Sequence, residues 1–364
     1  MRIIQVCQRF FPYIGGIETH VLELSKRLAK EHDVQVFTTD PSGKLPKEEC
    51  IEGIKIKRFR SFAPNEAFFF SPGIYSALKK EHADVLHIHS NQSLSSYLAF
   101  KGMKKKNIKK FIFTPHYCPS GVTPLRNFLR KIYDQVQKRM FFGADRIICV
   151  SDYEIELLTK KMKIPRTKMI QIPNGIKIES FENFKKVKKE HDFQILFVGR
   201  MEKYKRVQWI LYALKNLIEK FPNKDIHFVT IGKGPYKEKL SLLCKNFGLE
   251  KHVTFKQSLS YDELLEEYSK CDVFVLPSTF EIFGIVILEA LAFNKPIIIS
   301  NGTALPQLFG KYGYVINSVQ DLEKSLVTLI NGDNNVKVNF DIRNYTWDSV
   351  ADRILKLYEE VLIE

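Results

Sequence analysis

The chain has 364 residues, 45% of them hydrophobic, with a formal net charge of +15; it can bury a large core, and because single cores stop growing near ~250–300 residues two domains are expected. Six cysteines, Cys7, Cys50, Cys118, Cys149, Cys244 and Cys271, lie scattered with no C-x-x-C or Cys/His cluster, which argues against a structural zinc site or a disulfide framework and for a reducing compartment. The opening MRIIQVCQRF lacks a signal-peptide apolar stretch and no apolar run approaches the ~18–20 residues that span a bilayer, so a cytoplasmic, non-integral protein is expected.

Along the chain, short β-branched runs alternate with longer amphipathic stretches. After the first strand, RIIQVC, the segment RFFPYIGGIETHVLELSKRLAK breaks at Gly15-Gly16 and becomes a helix with Ile17, Val21, Leu24 and Leu28 inward. A glycine pair at a helix start permits unusual backbone angles and leaves amides at the positive end of the helix dipole, which suits a phosphate. A plain strand-to-helix turn is the competing reading. VQVFTT and VLHIHS follow. In the latter His87 and His89 share one strand face by the period of two, and a metal there would need ligands the sequence does not announce. KFIFTP leads to His116, where a turn residue and a functional histidine are both open.

Between Lys101 and Met140 eleven Lys/Arg face one acid, Asp134, so that window carries +10. Within it, PLRNFLRKIYDQVQKRMFFG sets Phe128, Leu129, Ile132, Tyr133, Val136 and Met140 near one helical stripe with cations beside it. Such a helix can lie on an anionic membrane, and NEAFFFSPGIY offers an apolar loop in the same half; a core-facing helix with solvated lysines is the alternative. RIICVS closes the first half, and IKIESFENFKKVKKEHD, charged and aperiodic, reads as the connection over residues 176–191.

The second half alternates in the same way through QILFVG, IHFVTIG, VFVLPS and PIIIS. ILFVGRMEKYKRVQWILYAL places Arg200 and Lys205 after a strand end, where open α/β sheets bind ligands and fixed cations can neutralise a diphosphate. VTIGKGPYKEKL repeats the strand-turn-helix form at Gly232, but its spacing is neither G-x-G-x-x-G nor a P-loop, which leaves dinucleotide oxidoreductases and P-loop NTPases poorly supported. In STFEIFGIVILEALAFNKP, Phe283, Gly284 and Ile285 open a buried helix whose amides suit a phosphate, with Glu281 just ahead. Glu289, inside that helix, is costly to bury unpaired, and a ribose diol offers two hydroxyl donors to it. Eight helical residues would separate the two glutamates by roughly 12 Å, beyond the ~5–9.5 Å of a hydrolytic pair, so separate tasks are expected. The final YTWDSVADRILKLYEEVLIE carries Trp347, Val350, Ile354, Leu357, Tyr358 and Val361 on one face, a docking helix.

These units predict an α/β chain of two Rossmann-like domains facing across a cleft, 1–175 and 192–345, joined by 176–191 and closed by a helix over 346–364. The ordered set GGIETHVLELSKRLA, VSDYE, IPNGI, FVGRMEKYK, IGKGP, LPSTFEIFGIVILEALAFNKP and TWDSVADRILKLYEEVL, spread over nearly the whole chain, resembles glycosyltransferase family 4, retaining enzymes of GT-B fold. The resemblance implies hexosyl transfer from a nucleotide diphosphate sugar, with retention, no bound metal and no other cofactor. It matches Arg200 and Lys205 to the pair that grips the donor diphosphate, Glu289 to the carboxylate on the ribose and Glu281 to the glutamate facing the sugar. Phe283 to Ile285 match the phosphate loop, Gly15-Gly16 and Gly232 the turns near the donor, and His116 a histidine lining the sugar pocket.

The sequence departs from the family pattern at Ile282 and Arg206, where glycine is usual, at Asn294, which tolerates a left-handed backbone, and around Gln307. The expected partners are the nucleotide sugar, a lipid-linked or glycan acceptor and an anionic membrane surface at the inner face. The alternatives are a sugar-nucleotide epimerase of the same fold and a basic nucleic-acid-binding protein. No nucleic-acid signature accompanies the lysines, so charge supports only non-specific attraction.

Overall fold

The computed structural model describes residues 1–13, 15–63, 69–90, 93–117, 124–182, 184, 187–257, 259–333, 336 and 338–364, with backbone alone over 124–133 and at 182. The chain divides into two compact units, Met1–Gly175 with Tyr345–Glu364, and Ile176–Asn344. Unit 1 begins with β1 (Arg2–Val6), α1 (Gly16–Leu28), β2 (Asp33–Asp40), β3 (Glu48–Ile51), β4 (Ile54–Arg60), α2 (Pro72–Leu78) and β5 (Ala83–His89). It continues with α3 (Leu94–Gly102), β6 (Ile108–Thr114), α4 (Pro124–Gly143), β7 (Arg146–Cys149), α5 (Asp152–Leu157) and β8 (Met169–Gln171). The sheet runs β3-β4-β2-β1-β5-β6-β7-β8. Every pair is parallel except β3 with β4.

Unit 2 comprises α6 (Glu179–Glu182), β9 (Phe193–Val198), α7 (Val207–Lys220), β10 (Ile226–Ile231), α8 (Lys237–Asn246), β11 (Val253–Lys256) and α9 (Tyr261–Lys270). Then come β12 (Val273–Leu276), α10 (Ile285–Ala292), β13 (Ile297–Ser300), α11 (Leu305–Phe309), β14 (Gly313–Ile316) and α12 (Val319–Ile330). Its sheet, β11-β10-β9-β12-β13-β14, is parallel throughout. The central strands FQILFV, IHFVTI and VFVL are buried at every residue, as a parallel sheet with both faces covered requires. Helices enter through side-chain caps: Ser93 on α3, Ser151 on α5, and capping boxes from Ser260 with Glu263 on α9 and Ser318 with Asp321 on α12.

The last helix, α13 (Trp347–Ile363), belongs to unit 1. Its stripe of Trp347, Val350, Ile354, Leu357, Tyr358 and Val361 is buried with Ile3, Val21, Leu24, Val85 and Ile112, as the helical period predicted. Within 176–191, expected as a plain connection, Glu179–Glu182 form α6, and Phe181 and Phe184 stand edge-on against Phe293 with ring centroids 5.3 and 5.2 Å away. Apolar rings within an otherwise charged segment are what unit 2 recruits. The basic helix expected after residue 123 is α4, yet its expected stripe does not hold where side chains are described: Met140 is buried while Val136 is 38% exposed. Phe128, Leu129, Ile132 and Tyr133 lie outside the described side chains, as do residues 64–68 of the apolar loop. Among the described residues no helix is long and apolar enough to cross a membrane.

Candidate active site

In unit 2 the strand order reverses on the two sides of β9 and β12, a topological switch point where open parallel sheets leave a crevice at the strands' carboxyl ends. Three turns meet there. Arg200 and Lys205 follow β9, Gly232 follows β10, and Glu281 to Ile285 follow β12. Backbone hydrogen bonds staple them: Thr279 N–H donates to Tyr204 O at 2.8 Å, Met201 N–H to Lys233 O at 2.9 Å and Ala304 N–H to Glu281 O at 2.9 Å. A Cβ at Gly232 would stand 2.0 Å from Gly199 O, so close backbone packing accounts for the absence of a side chain at this position.

Two charged candidates, Lys205 matched to the diphosphate and Glu281 to the sugar, are in contact. Lys205 Nζ donates to Glu281 Oε1, with only 13% and 14% of the two side chains exposed. Burial works against the ammonium, but the charge of Glu281 and its hydrogen bond outweigh that and hold the Lys205 pKa above its ordinary value. Arg200 is more open, its side chain 68% exposed and its Nη2 3.0 Å from Glu202 Oε1. The Arg206 backbone is left-handed, φ 53°, and so is Asn294, φ 54°. Those angles explain the glycine usual at both positions. Asn294 meets the demand cheaply, whereas Arg206 carries the strain of a Cβ-bearing residue with its guanidinium 4.2 Å over the Trp209 ring.

Gly284 caps α10 at φ 79°, a conformation that favours glycine. The Phe283 side chain beside it is buried edge-on against Phe309, centroids 5.8 Å apart, and anchors the loop. The first-turn amides of α10 have no carbonyl four residues back to bond. Inside that helix Glu289 is 8% exposed, and burial raises its carboxyl pKa to about 7, although the Tyr268 hydrogen bond pulls the other way. Its partner is one the sequence reading missed: Tyr268 Oη donates to Glu289 Oε2 at 2.8 Å. A stripe through Leu265 and Tyr268 marks the buried face of α9, but nothing in the sequence joins Tyr268 to a carboxylate on another helix.

Gly15, Gly16 and His116 belong to unit 1. Gly15 is extended, φ −177°, so the unusual angle expected at this pair is not what the chain needs there. A Cβ at Gly15 would fall 2.4 Å from Glu18 Oε2, the far end of a flexible side chain that can give way; Arg9 Nε donates to the same carboxylate at 2.9 Å. Gly16 has open space around it. His116 is left-handed, φ 47°, and the next amide, Tyr117 N–H, donates to Glu154 Oε1 at 2.5 Å, while Val150 N–H donates to Glu154 Oε2 at 2.9 Å. Glu154 is fully buried. It thereby ties the turn after β6 to the one after β7.

His116 packs against His20, centroids 5.6 Å apart, and stacks on His89 at 6.3 Å. Behind them runs a hydrogen-bond chain: His89 Nε2–H donates to Gln5 Oε1 at 2.7 Å and Gln5 Nε2–H to Tyr358 Oη at 3.2 Å, while His87 shares hydrogen bonds with Tyr358 Oη through Nδ1 at 2.6 Å and with Thr114 Oγ1 through Nε2 at 2.7 Å. His20 shares a 2.8 Å hydrogen bond with Asn174 Oδ1. His20, His87 and His89 are buried and His116 is half-buried, and desolvation keeps them neutral: it lowers His20 to about 4 and His116 to about 3, and drives His87 and His89 well down. His87 and His89 are structural. Among the described residues no cluster of three or more His, Cys, Asp or Glu could hold a metal ion.

The family models for Glycosyltransferase Family 4 and for Glycosyl transferases group 1 match residues 14–180 and 179–347. The chain therefore belongs to the glycosyltransferase family 4 enzymes and is a glycosyltransferase of the GT-B fold. It is 28% identical, over 97% of its length and 96% of the relative's, to an uncharacterized glycosyltransferase of Methanocaldococcus jannaschii. It is 25% identical, over 99% and 97%, to the phosphatidyl-myo-inositol mannosyltransferase of Mycobacterium tuberculosis. The sucrose-phosphate synthase of Thermosynechococcus elongatus shares the fold with TM-score 0.81 at 18% identity, covering 100% of this chain and 99% of that one. Anabaena HepE, solved in complex with UDP, gives 0.73 at 16%, covering 99% and 100%.

Proposed function

We propose that this chain moves a hexosyl group from a nucleotide diphosphate sugar to a lipid-linked or cell-envelope glycan acceptor, retaining the anomeric configuration and using no metal. The observation that carries the reading is the buried Lys205–Glu281 pair at the switch point of unit 2, with Glu289 in the adjoining helix. One fixed cation and two carboxylates in different environments suit a donor with a diphosphate, a ribose and a sugar.

The scissile bond is an activated glycosyl phosphate, so no strong acid is required. Lys205 and Arg200 neutralise the charge that grows on the departing diphosphate, and the first-turn amides of α10 add their dipoles. When the diphosphate takes the Lys205 ammonium, Glu281 is released to face the sugar and stabilise its oxocarbenium-like state. Each ribose hydroxyl donates to Glu289. The donor phosphate accepts the proton of the incoming acceptor hydroxyl on the face the leaving group vacates. For His116, Gly15 and Gly16, as sugar- and phosphate-facing residues, the support is the family's motif pattern.

A nucleotide donor is supported by the UDP complex of HepE, and a lipid-linked acceptor by the phosphatidyl-myo-inositol mannosyltransferase among the relatives. The +10 of residues 101–140 supports a peripheral position on an anionic inner membrane face. A thermal-shift series with UDP, GDP and ADP tests the donor. One of the three raises the melting temperature, by the equivalent of about 2.7 kcal/mol at a hundredfold excess over Kd; chelator does not change the shift and Lys205→Met removes it. No response to any of the three overturns the proposal. Conversion of a nucleotide sugar to its epimer without acceptor, and with no new glycoside, would establish the epimerase instead.

A further inference from the structure

We infer that Tyr268 is a positioning residue for nucleotide recognition: its hydroxyl holds the Glu289 carboxylate in the orientation that receives the ribose diol. The inference rests on the nucleotide-sugar reading above and extends it to a residue on a different helix. Glu289 Oε2 accepts from Tyr268 Oη at 2.8 Å, and among the described residues Oε1 takes no hydrogen bond. A carboxylate in an apolar helix has three side-chain torsions and no other polar tether. Without one it would turn toward whatever solvent it could reach, since an ionised group is costly to leave unpaired in the interior.

Tyr268 is itself locked. It is fully buried, its ring lies 5.6 Å from Phe274 and stacks on Phe293 at 6.4 Å with 12° between the planes. Phe293 in turn is packed by Phe181 and Phe184 from the segment that opens unit 2. The end of α9 is tied down as well: Cys271 Sγ–H donates to Tyr268 O at 3.3 Å and Lys295 Nζ to Ser269 O at 2.8 Å. A rigid donor therefore meets a carboxylate on a second rigid helix. The hydrogen bond also favours the ionised form against the burial that opposes it, and the ionised form is the one that accepts from both hydroxyls of a diol.

The test uses the full chain, isothermal titration with UDP, GDP and ADP, and the 2′,3′-dideoxy form of the one that binds. The wild type is expected to prefer the ribose form by tenfold or more, the range of one or two hydrogen bonds to a charged group. Tyr268→Phe, which keeps the ring, is expected to weaken the ribose form about tenfold and to leave the dideoxy form within about twofold. In the Glu289→Gln background, where no buried charge is left unpaired, Tyr268→Phe should add nothing to the loss of ribose preference; this arm also covers a Tyr268→Phe single variant that does not fold. Equal weakening of both nucleotide forms, or no change in either, overturns the positioning role. A wild type that binds a nucleotide with no ribose preference overturns the assignment of Glu289 and Tyr268 alone, whereas no binding of any nucleoside diphosphate overturns the functional reading and this inference with it.

Discussion

Unit 1 buries a cluster of neutral imidazoles against α13, linked by hydrogen bonds through Gln5, Tyr358 and Thr114. Around the switch point of unit 2 stand charged groups instead, the Lys205–Glu281 pair and a buried carboxyl, Glu289, poised at about 7. The difference teaches where an anionic ligand can be answered. A neutral imidazole cluster holds helix α13 on the sheet, whereas the second unit sets its largely buried ion pair beyond the strand ends, in the crevice of an open parallel sheet.

The contrast predicts opposite pH dependences. A histidine whose folded pKa lies below the ordinary 6.5 stabilises the fold above that value, and the contribution is lost as pH falls from 6.5 toward the folded pKa, about 4 for His20. Glu289, raised from 4.5 to about 7, behaves in reverse: its contribution is complete below 4.5 and is lost as pH rises through 7. The largest expected effect is therefore acid destabilisation of unit 1. Between pH 7.5 and pH 5 the buried His20, His87 and His89 destabilise unit 1, His20 by about 2 kcal/mol, and buried Glu154, raised to about 7, offsets part of the loss. Trp347 reports on unit 1 in a Trp209→Phe background, because these are the chain's two tryptophans. A urea midpoint that stays constant from pH 7.5 to 5 would break the contrast.

The next effect in size concerns the ion pair. Lys205→Met leaves Glu281 without its counter-charge and is expected to cost unit 2 about 3 kcal/mol, with most of it recovered in Lys205→Met/Glu281→Gln. Scanning calorimetry of both variants checks this; equal stability of single and double variants would mean the pair is not buried charge in solution. A change of similar size sharpens the same point: Glu289→Gln should raise the stability of unit 2 at pH 8 by about 3 kcal/mol and leave it nearly unchanged near pH 4.5. The smallest lies at the strained turn. Both Arg206→Gly and Arg206→Ala lose the contact with Trp209, but only glycine relaxes φ 53°, so the glycine variant should be about 1 kcal/mol more stable than the alanine one, read from urea midpoints.

Much of the fold was legible in the chain. Continuous apolar runs such as QILFV and VFVL announce strands buried on both faces, and the stripe from Trp347 to Val361 announces a helix that packs by one side. The strand-end turns at Arg200, Gly232 and Glu281 were legible too, because glycine, proline and charge punctuate an otherwise apolar alternation. Local reasoning about a single residue fared worse. Gly15 reads as a conformational need yet is extended, and Lys205 and Glu281, given different roles, form one ion pair across 76 residues of sequence.

Periodicity and turn chemistry by themselves determined a two-unit α/β chain and the strand-end segments of the candidate site, and the ordered motifs gave the resemblance to glycosyltransferases. They could do so because burial patterns and backbone preferences are local properties, written within a few residues of where they act. Only the tertiary structure decided the partners: Tyr268 for Glu289, Glu281 for Lys205, Tyr358 for His87, Glu154 for the amide after His116. A hydrogen bond or ion pair forms between atoms about 3 Å apart, and that proximity is set by how distant helices and strands pack, which no short stretch of sequence encodes.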